Sequence, residues 1–173
     1  MKRTLLALAA ASLVFAVPAI AKPINSFGGC ESNTLLAQDH TYGQTFMPTF
    51  SVVKKVRLVL FGDESSSEDT MFQLVLKTRG GVFVAASEYA VLEAGTSHDD
   101  AVSGDALTFT FARGANVTPG QTYDLEIVRV GGTAPIRACV TNNAYAGGVL
   151  LYDGAFNMGL DFEFAMKGSG PAK

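Results

Sequence analysis

Sixteen acidic residues, two histidines and two cysteines are the groups of this 173-residue chain that could do chemistry. Their spacing limits what that chemistry is. Asp63, Glu64, Glu68 and Asp69 crowd one polar loop over residues 62–69. Hard cations such as calcium want several oxygen ligands, so these four are weak calcium candidates, with Asp161 as an isolated fifth. Their order lacks the alternate Asp/Asn and closing Glu of an EF-hand loop, and a solvated loop explains them as well. His40 follows Asp39, and His98 precedes Asp99-Asp100. A hydrolase triad needs nucleophile, base and orienting acid brought together. No Gly-x-Ser-x-Gly elbow marks a nucleophile here. A zinc site needs at least three ligands, and nothing in the sequence places the two histidines together. A pair of glycosidase carboxylates is an empty signal where sixteen acids always offer some pair. No catalytic residue is assigned.

Cys30 and Cys139 are the only cysteines. In an oxidising compartment an even pair most simply forms a disulfide, with two separate buried thiols as the alternative. The bond would close a loop of about 110 residues, worth about 4–5 kcal/mol in the chain-entropy picture. Tyr42, Tyr145, Tyr152 and Phe156 lie in or beside glycine-rich stretches. Tyrosine joins an apolar ring to a hydroxyl, which suits stacking on a sugar or docking a protein. Asn142, Asn143 and Asn157 are near enough in sequence to add amide hydrogen bonds. Tyr42, Asn142, Asn143, Tyr145, Tyr152 and Asn157 are therefore the candidate ligand contacts. The competing explanation is that Tyr145 and Tyr152 seal the edge of the core. Asn116-Val117-Thr118 fits the glycosylation sequon.

The elements that must position these residues read as strands. Lys2 and Arg3, the apolar run Leu5–Val17, and Ala19-Ile20-Ala21 read as a secretory signal peptide cleaved after Ala21. One domain, residues 22–173, is left, secreted or periplasmic. The leader takes two of the 13 basic residues, leaving 11 against 16 acids, a net charge of −5. That acidity excludes the basic footprint of a nucleic-acid binder. No later segment has the uninterrupted apolar length of a transmembrane helix. Alternation with period two recurs over 55–61, 71–78, 105–111, 122–128 and 159–167, and helical periodicity of any length does not. In the last of these, Leu160, Phe162, Phe164 and Met166 are expected inward and Asp161, Glu163 and Lys167 outward. Arg79-Gly80-Gly81 reads as a hairpin turn, Thr118-Pro119-Gly120-Gln121 as a tight turn, and residues 93–104 as a long crossing loop. Short strands at this spacing predict an all-β fold, an antiparallel two-sheet β-sandwich of nine or ten strands.

Three stretches carry a resemblance. Gly43-Gln44-Thr45-Phe46-Met47-Pro48-Thr49-Phe50 looks like a Q-T-F-x-P opening strand. Leu107–Phe111 with Val117-Thr118-Pro119-Gly120-Gln121-Thr122-Tyr123 is similar to an F-x-F … L-x-x-G-x-x-Y hairpin. Tyr145-Ala146-Gly147-Gly148 through Tyr152-Asp153-Gly154 to Asp161-Phe162 resembles a Y-x-G-G … Y-x-x-G … D-L-x-F ending. Together they resemble bacterial exported jelly-roll accessory domains, found beside galactose-binding-like and carbohydrate-binding-like surface modules. The resemblance implies a jelly-roll-like sandwich that binds a glycan or a cell-surface protein. It departs from sugar-binding members in having no tryptophan. The leading expectation is an exported, non-catalytic binding module at the cell envelope or outside. A structural subunit pairing through sheet edges comes second, and a small secreted hydrolase third.

Overall fold

The computed structural model describes residues 22–27, 29–62, 65–102, 106–157 and 159–170. The expected leader, its cleavage site, Asp63 and Glu64 lie outside the described residues. The chain is all-β, and every strand pairing is antiparallel. A first sheet runs in the order β1 (Ile24–Asn25), β15 (Phe164–Ser169), β4 (Val52–Leu58), β9 (Leu107–Asn116). A second follows the order β13 (Ala155–Asn157), β12 (Leu150–Tyr152), β3 (Tyr42–Phe46), β10 (Tyr123–Gly131), β6 (Thr70–Thr78), β7 (Phe83–Ala86), and β8 (Ala90–Leu92) also pairs with β6. A third places β11 (Arg137–Asn142) between β14 (Leu160–Phe162) and β2 (Ser32–Leu35), with β5 (Leu60–Phe61) also on β11.

The fifteen strands among the described residues exceed the nine or ten expected, and part of the excess has one cause. Two of the expected strands change partners midway. The run 55–61 leaves the first sheet at Val59, where β4 ends and β5 begins on the third sheet. The run 159–167 does the same at Glu163, between β14 and β15. The two corners are bonded to each other, Val59 N–H donating to Glu163 O at 3.2 Å. Strands that bend at such corners serve two sheets, so each counts twice.

The largest buried cluster draws Val56, Leu58, Phe109 and Phe164 from the first sheet and Phe46, Phe72, Leu74 and Leu125 from the second. Inward alternation on β6, β9 and β10 follows the sequence pattern. A second, smaller cluster of Val59, Phe61, Ala101, Ala106 and Cys139 lies at the corner. The stretch 93–104, expected as loop throughout, contains a five-residue helix α1, His98–Val102. Ser97 and Asp100 cap it reciprocally: Ser97 Oγ donates to Asp100 Oδ2 at 2.7 Å, and Asp100 N–H donates to Ser97 Oγ at 3.2 Å. Ala101 pins it to the smaller cluster. No described helix is long and apolar enough to cross a membrane.

Candidate functional site

Of the six expected ligand contacts, the structure brings Tyr42 and Tyr152 together. Their rings meet edge to face with centroids 5.3 Å apart. Tyr42 is buried, and its hydroxyl accepts the Ala37 N–H. Tyr152 is 40% exposed and lies against His40, ring centroids 4.9 Å apart. Asp153 fixes this corner, holding His40 Nδ1 at 2.7 Å and accepting the Thr41 N–H at 2.8 Å. The Asp153 hydrogen bond raises the His40 pKa. The Thr41 N–H, followed by His40, lowers that of Asp153. Tyr145 lies elsewhere. Its hydroxyl accepts from Met47 N–H at 3.0 Å and donates to Met47 O at 2.9 Å, and its ring stands edge-on to Phe164. Both hydrogen-bonding roles of that hydroxyl are used inside the protein. Asn142 and Asn143 are exposed at the end of β11, and Asn157 is exposed on the edge strand β13.

The described acidic candidates are dispersed. Glu68 Oε2 accepts the Thr133 N–H and hydroxyl, and Asp69 Oδ1 accepts the Ala94 N–H. Asp161 and Glu163 correct an expectation. Alternation predicts both outward, yet both are buried, at 0% and 4% exposure. The bend at residue 163 carries the strand beneath the N-terminal segment and the 143–149 loop, so its second face is covered too. Asp161 is fully partnered, accepting Gln44 Nε2 at 2.7 Å and the Tyr145 N–H at 2.8 Å. Gln44 also accepts the Phe162 N–H, so one side chain bonds the second sheet to the third. Burial still raises the Asp161 pKa against those two hydrogen bonds. Glu163 accepts the Gly29 N–H at 3.2 Å through Oε1 alone, and Oε2 has no hydrogen-bond partner among the described residues.

The Cys30–Cys139 disulfide is formed. It ties the segment between β1 and β2 to β11. His98 sits beside it: one ring nitrogen and both sulfurs lie within 4.8 Å of one another. Sequence spacing hid this neighbour, because α1 and its anchor Ala101 deliver it from 41 positions before Cys139.

The feature that motif reading missed is the outward face of the first sheet. Lys55 and Lys167 stand directly opposite each other in the β4–β15 ladder. Arg57 follows two residues after Lys55 on the same face, opposite Ala165 and Thr108. All three cations line a groove of about 420 Å³ with Pro23, Thr108 and Met166, and none of the described residues that line it is acidic. Arg57 lies over the Phe27 ring at 5.5 Å, which orients its guanidinium. Paired positions sit about 5 Å apart across the ladder, and alternate ones about 7 Å apart along a strand. Like charges directly opposite destabilise a sheet by up to about 1 kcal/mol, so this arrangement works against folding. The signal was present in the sequence as Lys54-Lys55-x-Arg57 and Lys167, but only the register sets Lys55 and Lys167 face to face.

The outward face of the second sheet also carries charges and arranges them differently. Lys77 pairs with Glu126, and Arg79 meets both oxygens of Asp124 at 3.0 Å. Arg79 also covers the exposed Phe156 ring at 4.0 Å. Between them lies a smaller groove of about 210 Å³ floored by Gly43. A Cβ at residue 43 would come within 2.6 Å of Leu125 O, so only glycine fits there.

No protein-family model matches this sequence, and no curated protein matches it either.

Proposed function

We propose that the protein is an exported, non-catalytic β-sandwich binding module, and that its ligand is an anionic glycan or another negatively charged polymer of the cell surface. The Lys55–Lys167 pair facing across the first sheet carries this reading. Two lysines set opposite each other across a ladder, with no acid among the described residues that line their groove, offer a place for an outside anion. The rest of the molecule is acidic, so such a patch attracts negative charge locally against a repulsive background. The spacing of about 5 Å presents two facing lysines to a chain bearing repeated carboxylates or phosphates. Thr108 adds a hydroxyl, and Pro23 adds apolar surface for a sugar ring. Export is supported by the N-terminal pattern of residues 1–21 and by the disulfide. The two-sheet sandwich is supported by the cluster that the first and second sheets share.

The test is an array of acidic and neutral glycans probed at low and physiological salt, with and without calcium. Acidic glycans should bind, binding should fall with salt as expected for exposed charges, and calcium should leave it unchanged. A blank array from protein with an intact strand spectrum overturns the proposal.

A second reading has one observation behind it. The edge strand β13 exposes all three of its residues, and Phe156 is 49% exposed. An open edge with an aromatic is a template for pairing with another chain. Light scattering decides: a strict monomer at high concentration removes the assembly reading.

A further inference from the structure

We propose that Cys30, Cys139 and His98 form a redox-gated site for a borderline-soft divalent ion of the zinc class, closed while the disulfide stands and opened by its reduction. The three ligand atoms already lie within 4.8 Å of one another. A tetrahedral ion with metal–sulfur bonds of about 2.3 Å and metal–nitrogen bonds of about 2.0 Å needs ligand separations of roughly 3.3–3.8 Å. The imidazole must close on the sulfurs by on the order of 1 Å, and the two sulfurs must part once their bond is reduced.

The surroundings fit that role. Cys139 is fully buried on β11, whereas Cys30 is partly exposed and gives a reductant access. Helix α1 holds His98 through Ala101, and Phe61 packs edge-on to the imidazole with centroids 4.9 Å apart. Asp99 Oδ1 stands 3.4 Å from His98 Nδ1, a carboxylate neighbour of the kind that orients metal-ligating imidazoles. Independent of these is Glu163. Its backbone N–H bonds Cys139 O at 2.9 Å, which places it beside Cys139 in the ladder. Its Oε1 accepts the N–H of Gly29, the residue before Cys30, while Oε2 is buried without a partner among the described residues. An unpartnered buried acceptor beside the two cysteine segments is one that an ion or a water there would satisfy. Two thiolates, one imidazole and a carboxylate or water complete a four-ligand set that favours zinc over calcium or magnesium.

The chemistry balances with a dithiol as reductant. The dithiol gives two electrons and two protons to the Cys30–Cys139 bond and itself becomes a disulfide. The two protein thiols then release two protons as the divalent ion binds both sulfurs. The neutral imidazole donates its lone pair without a proton change.

The test uses the purified protein, reduced anaerobically, freed of reductant and titrated with Co²⁺ followed by Zn²⁺. The expected result is a near-ultraviolet thiolate-to-cobalt band and tetrahedral visible bands that saturate at one equivalent and vanish on adding zinc. Oxidised protein should show neither. His98→Ala should weaken cobalt binding about tenfold or more, the range for losing metal-site support, while leaving the strand spectrum unchanged. Absence of the band at one equivalent overturns the proposal, as does a band unaltered by His98→Ala. Reduced protein that loses its strand spectrum before metal is added overturns it as well, because the site requires the folded corner.

Discussion

The outward faces of the first and second sheets carry similar side chains and opposite electrostatics. On the second sheet each cation has its acid: Lys77 has Glu126 and Arg79 has Asp124. On the first, Lys55 faces Lys167 across the ladder, and none of the described residues lining their groove is acidic. Each arrangement follows from register. On the second sheet β10 presents Asp124 directly opposite Lys77, with Glu126 two residues along the same face. On the first, the same pairing rule sets lysine against lysine. A lysine opposite an acid is neutralised within the chain, whereas a lysine opposite a lysine leaves room for a counter-charge from outside. The cationic face is therefore the better candidate for recognition, although the other carries the more conspicuous exposed aromatic.

The largest expected effect breaks the contrast outright. Lys55→Glu with Lys167→Glu turns the cationic groove acidic at both facing positions. Binding to an anionic glycan should fall by two orders of magnitude or more, since charges at a binding rim repel as strongly as they attract. Equilibrium titration at low salt measures it. Unchanged affinity would place the ligand elsewhere, and the groove on the second sheet would become the next candidate.

A single substitution sharpens the same contrast from the stability side. Lys167→Glu converts the like-charge pair into an opposite-charge pair of the kind the second sheet uses. It should raise the urea midpoint by an amount equivalent to about 0.5–1 kcal/mol while weakening anion binding about tenfold. A gain in stability with a loss of binding is what a functional like-charge pair produces. A loss in both would mean that the Lys167 stem packs structurally.

How much of this was legible in the sequence depends on whether the signal is local. The alternation of Phe72, Leu74 and Leu76, or of Tyr123, Leu125 and Ile127, is a property of one strand and reads correctly. So do the turns: Gly81 and Gly120 sit at positive φ where the turns require it. Asp161 and Glu163 read wrongly because alternation assumes one wet face, and their strand bends into a second sheet with neither face wet. The disulfide followed from counting, but its histidine neighbour did not, since α1 hides inside a polar stretch without helical periodicity. The tyrosines were visible as residues, but their engagement was not. Tyr145 spends its hydroxyl on Met47, and no local pattern announces that. Lys55 opposite Lys167 is purely a matter of register across 112 residues, beyond what composition or spacing conveys.

The smallest expected effect asks whether the self-neutralised face is held by its ion pairs at all. Asp124 is largely buried, and burial pushes its pKa up, more than the Arg79 guanidinium and Lys77 pull it down, with Glu126 adding to the rise. A carboxyl whose folded pKa lies above its unfolded value contributes stability below the unfolded pKa and loses it as pH rises through the folded pKa. Asp124→Asn removes that titration. Against this variant, the native protein should lose stability as pH rises from below about 4 toward neutrality, by less than about 1 kcal/mol, the scale of partly exposed pairs. Urea midpoints across that range measure it. The opposite slope would show that the Arg79–Asp124 contact outweighs its desolvation, so that the second sheet gains real stability from its pairing. The expected slope means that pairing on that face chiefly limits the cost of burying charge. The contrast between the faces is then sharper: one has its burial cost offset from within, and the other sets Lys55 against Lys167 with no such offset in their pairing.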